Sequence, residues 1–258
     1  GNVLLRREQY RKADRVPERL AISRNMVIGK VANQRNVLLR CMRDHPEKID
    51  QEALKRAAER MSVLIKEAQE AGNLDVLRGC EGEAAREYFE VLDHAITAQK
   101  ADFFMRGRSK RPPLDNFNSV LSFLYTLLVH DAEAAIEAHG LDRQVGMLHA
   151  ERPGRPALAL DLMEELRPIL ADRVALSLVN LKQISGSGFE RSESGGVVMT
   201  TEARKEVIVA FQKRKQEEIE HPFIEEKVPI GLLLYVQAQL LARHIRGDIE
   251  GYPPFIWK

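Results

Sequence analysis

With 258 residues, 44% hydrophobic and 30% charged, the chain can bury a sizeable core in one large or two small domains. A net charge of +1 excludes the global basic excess of a histone-like binder, so any nucleic acid must be met by local clusters. The two cysteines, Cys41 and Cys80, sit in no CxxC pair and near no histidine at zinc-finger spacing, which excludes a disulfide framework and leads us to expect a reducing cytoplasm. No apolar run approaches the roughly 18 residues that span a bilayer, so no membrane partner is expected. The chain opens on Gly1 rather than methionine, and VLLRREQYRKAD reads as the middle of a longer protein.

Taken in order, Arg15 to Arg43 carries Leu20, Met26, Val27, Val31 and Leu38 at helical intervals among arginines and lysines, and Pro46 closes it. Gln51 to Ala71 is a second helical run, ended by Gly72. A third should run from Leu74 to Lys100. Its buried stripe is Leu77, Ala84, Ala85, Tyr88 and Leu92, and Glu81 lies in register with it, so an ionisable acid stands on a core face. Arg78 offers an intrahelical partner for it, Gly82 suggests a close approach to the backbone, and Glu83 should be solvated.

The loop MRGRSKRPPLDN concentrates Arg106, Arg108, Lys110 and Arg111, the clearest basic patch, suited to a phosphate backbone or to a solvated connection. Asn116 to His139 is apolar nearly all round and belongs in the middle of a bundle, where Asn118, Ser122 and Tyr125 are the polar groups to be satisfied. The His130-Asp131 pair, with His94 upstream, is a weak match to metal-dependent phosphohydrolases, since two residues recur by chance. After Pro168 the helix resumes to Gln183. Ser185 to Gly196 is a mobile surface excursion, with a short strand at Val197 to Thr200. Helices follow from Thr201 to about Glu220 and from about Pro229 to Arg246, and Trp257 packs back on the bundle. The whole reads as an all-α multi-helix bundle with at most one short β hairpin.

The central stretch is GMLHAERPGRPALALDLMEE. Gly146 and Pro153-Gly154 mark a loop that holds His149, Arg152 and Arg155, and a helix from Ala157 places Asp161, Glu164 and Glu165 on one face. Carboxylates on a mostly buried helix need a cation, either an arginine or a metal ion. Both a salt-bridge network and a site for Mn²⁺ or Mg²⁺ satisfy that need.

LRGCEGEAAREYF, RGRSKRPPLDNFNSVLSFLYTLL, GLDRQVGMLHAERPGRPALALDLMEELRP and HPFIEEKVPIGLLLYVQAQLLARHIRGDIEGYPPFIWK together resemble the universal CRISPR-associated integrase, the metal-dependent endonuclease of spacer acquisition, in the branch found with subtype I-C systems. The likeness covers essentially all of residues 1–258. It implies an α-helical catalytic domain without the β-rich N-terminal domain that builds the family homodimer. It implies a divalent metal, Mn²⁺ or Mg²⁺, held by Glu81, His149 and Glu164, with Asp161 or Glu165 as an additional acid and Asn118 and Tyr125 in support. Glu164 against Glu165 stays open at this point. The implied substrate is double-stranded DNA, held by Arg106, Arg108, Lys110, Arg111, Arg152 and Arg155. The implied partners are a small ferredoxin-like CRISPR-associated protein and an iron–sulfur exonuclease. The competing reading is a non-catalytic helical scaffold, or an inactive truncated domain, whose acids are merely salt-bridged.

Overall fold

The computed structural model describes residues 2–47 and 49–257. Its helices are α1 (Val3–Asp14), α2 (Val16–Asp44), α3 (Gln51–Glu70), α4 (Leu74–Val91), α5 (Asn116–Ala138), α6 (Ala157–Met163), α7 (Arg173–Asn180), α8 (Thr201–Lys215) and α9 (Leu233–Arg246). Local chemistry sets many of their ends. Asp50, Asn73, Asp115 and Thr200 each accept a backbone N–H of the following first turn, and Gly247 closes α9 in the left-handed region at φ 86°. The third helix stops at Val91 and passes through a 3₁₀ turn, Leu92–Ala95, well short of Lys100.

α2 lies against α3, α4 and α1, while α5 packs against α6 and α9, and one continuous core runs through both sets. α5 is long and apolar enough to cross a membrane by length and composition, a property the search for unbroken apolar runs missed. Its Phe117, Val120, Leu121, Leu124 and Leu128 are all buried in the bundle, as expected for a central helix.

Among the described residues, two antiparallel hairpins are present where at most one was expected. β1 (Phe189–Arg191) pairs with β2 (Val197–Met199), with Phe189 opposite Met199. β3 (Glu218–Glu220) pairs with β4 (Lys227–Pro229), with Ile219 opposite Val228. The Ser185 to Gly196 segment is therefore built, not a loose excursion: it contains β1, and Val197 N–H donates to the Pro113 carbonyl at 2.8 Å. α8 accordingly ends at Lys215, where β3 takes over.

The acidic helix breaks where the sequence suggested continuity. α6 ends at Met163, and a π-helix, Arg167–Asp172, carries Pro168 before α7 begins. Proline has no N–H and crowds the carbonyl one turn back, and widening the turn accommodates it. Asp161, Glu164 and Glu165 come before that turn yet reach different partners, Asp161 the loop of His149, Glu164 the ammonium of Lys30 and Glu165 the hydroxyl of Tyr252. Trp257 does pack back: its backbone N–H donates to Asn33 Oδ1 at 2.8 Å, and the guanidiniums of Arg40 and Arg173 lie over its ring.

Candidate metal and DNA site

Glu81 on α4 and Glu164 just after α6 are brought together by Lys30 of α2. The buried Lys30 ammonium bonds Glu81 Oε1 and lies 2.8 Å from Glu164 Oε2. Arg167 holds the second carboxylate from the other side, at 2.8 and 3.1 Å. Burial pushes the Glu164 carboxyl up, but the charges of Arg167 and Lys30 outweigh it and hold it below the ordinary carboxylate range. Arg78 does not pair with Glu81. It bonds Asp75 at 3.1 Å and donates to the Leu148 carbonyl at 2.8 Å, which ties α4 to the His149 loop. Nor does anything approach Gly82, and Glu83 is in an ion pair with Arg60 at 2.7 Å.

His149 is held by one carboxylate. Asp161 Oδ2 accepts the backbone N–H of Met147 at 2.6 Å and of Leu148 at 3.0 Å, and Oδ1 accepts that of His149 at 2.9 Å. The same Oδ1 is 2.6 Å from His149 Nδ1. A side chain at Gly146 would put its Cβ 2.8 Å from Ala157 Cβ and 2.9 Å from Asp161 Oδ2, so glycine is needed for this closure. Gln9 and Arg19 fix the loop from outside through the carbonyls of Asp142, Val145 and Met147. Asp161 is thus fully engaged by the loop and stands behind the histidine, leaving Nε2 as the imidazole's other face.

Glu165 points elsewhere. Tyr252 OH, Gln237 Nε2 and the Phe255 N–H donate to it at 2.7 to 2.9 Å, and Asn33 Nδ2 donates to its carbonyl. Burial pushes its carboxyl up, against these donors, to about 8, and the bonds it accepts lock the C-terminal tail. Of the two adjacent glutamates, Glu164 is the one that faces Glu81.

Among the described residues, no three His, Cys, Asp or Glu groups stand at metal-ligating spacing. Lys30 occupies the space between the carboxylates, as a cation of single charge. The donor set nevertheless fits a hard divalent ion: an ionised carboxylate beside a second one, already arranged around a positive charge, and an imidazole whose orientation is fixed by a carboxylate. The side chains of Glu81 and His149 are each 21% exposed against 3% for Glu164, which makes them the open side of the site.

An open cleft of about 510 Å³ runs beside this mouth, lined by Ala85 and Phe89 of α4 and by Arg86, Arg106, Arg108 and Lys110. Ala85 is one turn beyond Glu81. Lys110, whose ammonium is lowered first by burial and then by Arg167 and Arg108, is also close enough to feel Glu164. Arg106, Arg111 and Arg152 are exposed and Arg155 half-buried. Arg108 lines the same cleft but is held within the loop. Its guanidinium donates to Asn118 Oδ1 at 2.8 Å and Ser122 Oγ at 3.0 Å and lies over the Tyr125 ring, so much of its hydrogen bonding goes to folding the loop. Asn118 also donates to the Gly107 carbonyl, and Tyr125 carries Arg167 on its ring at 4.4 Å.

The His130-Asp131 pair comes apart, His130 reaching Glu133 and Asp131 reaching Lys215. The residues missed from sequence were Lys30 and Arg167. Lys30 had a signal of the same kind as Glu81, lying in the i, i+4 register of Met26, Gln34 and Leu38, and Arg167 is three residues from Glu164.

Comparison with known proteins decides the family. Residues 1–213 match the family described as CRISPR associated protein Cas1. The chain belongs to the Cas1 family. It is 54% identical over 258 residues to "CRISPR-associated endonuclease Cas1 1" of Chlorobaculum tepidum, which covers all of this chain and 75% of that relative. A "CRISPR-associated exonuclease Cas4/endonuclease Cas1 fusion" of Geobacter sulfurreducens is 36% identical, covering 99% of this chain and 46% of the fusion. Among solved structures, a "Cas6-RT-Cas1--Cas2 complex" matches with a TM-score of 0.83 at 28% identity, covering 100% of this chain and 27% of that one.

Proposed function

We propose that this chain cuts and joins DNA phosphodiesters at Glu81, His149 and Glu164, as the catalytic part of a CRISPR spacer-acquisition integrase. Membership of the Cas1 family makes it a CRISPR-associated nuclease and integrase, and that activity calls for a divalent metal. The observation that carries the assignment of residues is the meeting of two carboxylates from distant helices on one buried cation beside a carboxylate-held histidine.

Glu81, His149 and Glu164 would hold the ion, Mn²⁺ or Mg²⁺, which when bound polarises the scissile phosphate and offsets the charge building on its oxygens. The chain's own residues do the rest. Asp161 fixes the imidazole tautomer and ring plane through Nδ1, and Arg167 keeps Glu164 ionised. Lys110, Arg106 and Arg111 line the approach and neutralise backbone phosphates, with Arg152 and Arg155 next to the histidine loop. The attacking group is a DNA 3′-hydroxyl in joining and water in cutting.

Within the same proposal we place a subtype I-C setting, the cytoplasm, and homodimerisation through the β-rich domain that the resemblance implies for longer members. The small ferredoxin-like partner and the iron–sulfur exonuclease belong here too; the Cas1–Cas2 assembly and the Cas4/Cas1 fusion among the similar proteins support those two. A second reading, a scaffold without catalysis, draws on the fact that Lys30 and Arg167 already satisfy both acids.

The deciding experiment is cleavage and strand joining of labelled duplex DNA with and without Mn²⁺, for wild type, Glu81→Gln and His149→Ala. Loss of metal-dependent product in both variants, with melting temperatures near wild type, supports the enzyme. Product that survives either substitution excludes these residues, and no product from wild type favours the scaffold.

A further inference from the structure

At the far end of the π-helix, a second group of cations gathers where no carboxylate balances all of them. Arg173 and Arg40 lie over the Trp257 ring, at 4.7 and 4.9 Å from its centroid. Arg173 borders two adjoining grooves, one of about 460 Å³ between α7 and α8, shared with Lys213 and Arg214, and one of about 330 Å³ toward the end of α2, shared with Arg40. Three acids border these grooves. Asp44 sits 3.3 Å from Arg40, Glu217 is bonded to Arg214, and Glu206 lies on α8. None of them pairs with Arg173. Among the described residues its Nη1 is buried without a hydrogen-bond partner, and so is Arg214 Nε.

That arrangement is unfavourable as it stands. Burial first, then the charges of Arg40 and Arg214, push the Arg173 guanidinium down to about 10. A stack on an indole compensates part of the charge, but it leaves the buried N–H without an acceptor. What the group lacks is an oxyanion, and planar guanidinium forks match phosphate oxygens in pairs.

We propose that Arg40, Arg173 and Arg214 form a second phosphate site, which takes a backbone phosphate of the bound DNA away from the catalytic acids. This rests on the DNA reading above. The π-helix supplies the link: Arg167 at its first residue holds Glu164, and Arg173 follows its last. Six residues of this wider turn separate them by less than the roughly 9 Å an α-helical rise would give, within two to three phosphate spacings of one strand. An acidic protein segment would have no such tie to the catalytic end.

The test is fluorescence anisotropy of the purified chain with a labelled DNA duplex at several salt concentrations, for wild type, Arg173→Gln, Arg40→Gln and Arg214→Gln. We expect the slope of log affinity against log salt to fall by about one in Arg173→Gln and to fall in the same direction in the other two. The manganese-dependent rise in melting temperature should stay that of wild type. Should Arg173→Gln fold poorly, the two variants at partly exposed arginines carry the result. Wild-type binding with identical slopes in all three variants overturns this site alone, whereas a wild type that binds no DNA at low salt overturns the DNA reading itself. Unchanged slopes with a rise in wild-type melting temperature from inorganic phosphate, or from a hexaglutamate peptide, that Arg173→Gln abolishes would assign the groove to a free anion or to an acidic partner, and either overturns the proposal.

Discussion

Lys30 Nζ lies 2.8 Å from Glu164 Oε2 and is bonded to Glu81 as well, so a single buried ammonium joins carboxylates that come from opposite parts of the chain. It occupies the ground that a divalent ion would contest. Replacing it tests both roles at once.

Lys30→Met keeps the length and apolar stem but removes the charge. Glu164 retains Arg167, while Glu81 loses its partner, so the metal-free protein should be destabilised by about 3 kcal/mol. The rise in melting temperature on adding Mn²⁺ should be larger than in wild type, because no resident cation competes. Thermal unfolding with and without the ion reads both effects. Unchanged metal-free stability would mean that the lysine does not hold the acids together.

Asp161→Asn separates orientation from ligation. Asparagine offers one oxygen in place of two to three backbone N–H groups and the His149 ring, and its amide then faces a donor. Stability should fall by about 1 to 3 kcal/mol for the unsatisfied loop. Manganese affinity should fall about 10- to 100-fold as the imidazole loses its partner. A manganese titration that matches wild type would remove Asp161 from the positioning role.

How much of this was legible beforehand depended on whether a residue's partner is implied by its own helix. Glu81 stood out because a carboxylate sits in a leucine and alanine register, with only Arg78 on its own helix to offer a partner. Lys30 lay in an equally apolar register, but α2 is rich in flanking arginines, and its partners sit 51 and 134 positions away. The acidic helix was misjudged for a tertiary reason. The 100° periodicity groups Asp161, Glu164 and Glu165, but the groups that claim them come from the histidine loop, from α2 and from the C-terminal tail, which the helix itself does not announce. The second hairpin has strands of three residues, too short to display alternation. Arg108 was read as free because the sequence cannot show that Asn118 and Ser122 bind it from the next helix.

Arg108 and Arg111 should therefore respond differently to the same change. Arg111→Ala, at an exposed side chain, should leave the stability within about 0.5 kcal/mol of wild type and lower the salt dependence of DNA binding by about one unit of slope. Arg108→Ala removes donors to Asn118 and Ser122 and a cation over Tyr125, and should cost about 1 to 3 kcal/mol of stability. Equal effects on stability would return Arg108 to the surface set.

Asp172 gives the fold a pH dependence of its own. It is buried and accepts Tyr125 OH at 2.6 Å and Tyr88 OH at 2.9 Å. Burial pushes its carboxyl up, against both hydroxyls and Arg167, from 3.8 to about 6. The folded value is the raised one, so its contribution is fully present below about pH 4 and is lost as pH rises through about 6. The shift corresponds to a loss on the order of 2 to 3 kcal/mol across that window. Glu164 acts in the opposite sense but lower down, since its depressed carboxyl gains stability above its unfolded value and loses it only in stronger acid. Between pH 4.5 and 6 the Asp172 effect should therefore dominate this pair. Asp172→Asn keeps an acceptor for one tyrosine and has no proton to lose, so its melting temperature should fall less than wild type's over the same interval. Parallel curves for the two proteins would show that Asp172 is ionised in the fold throughout, with the tyrosines and Arg167 outweighing burial.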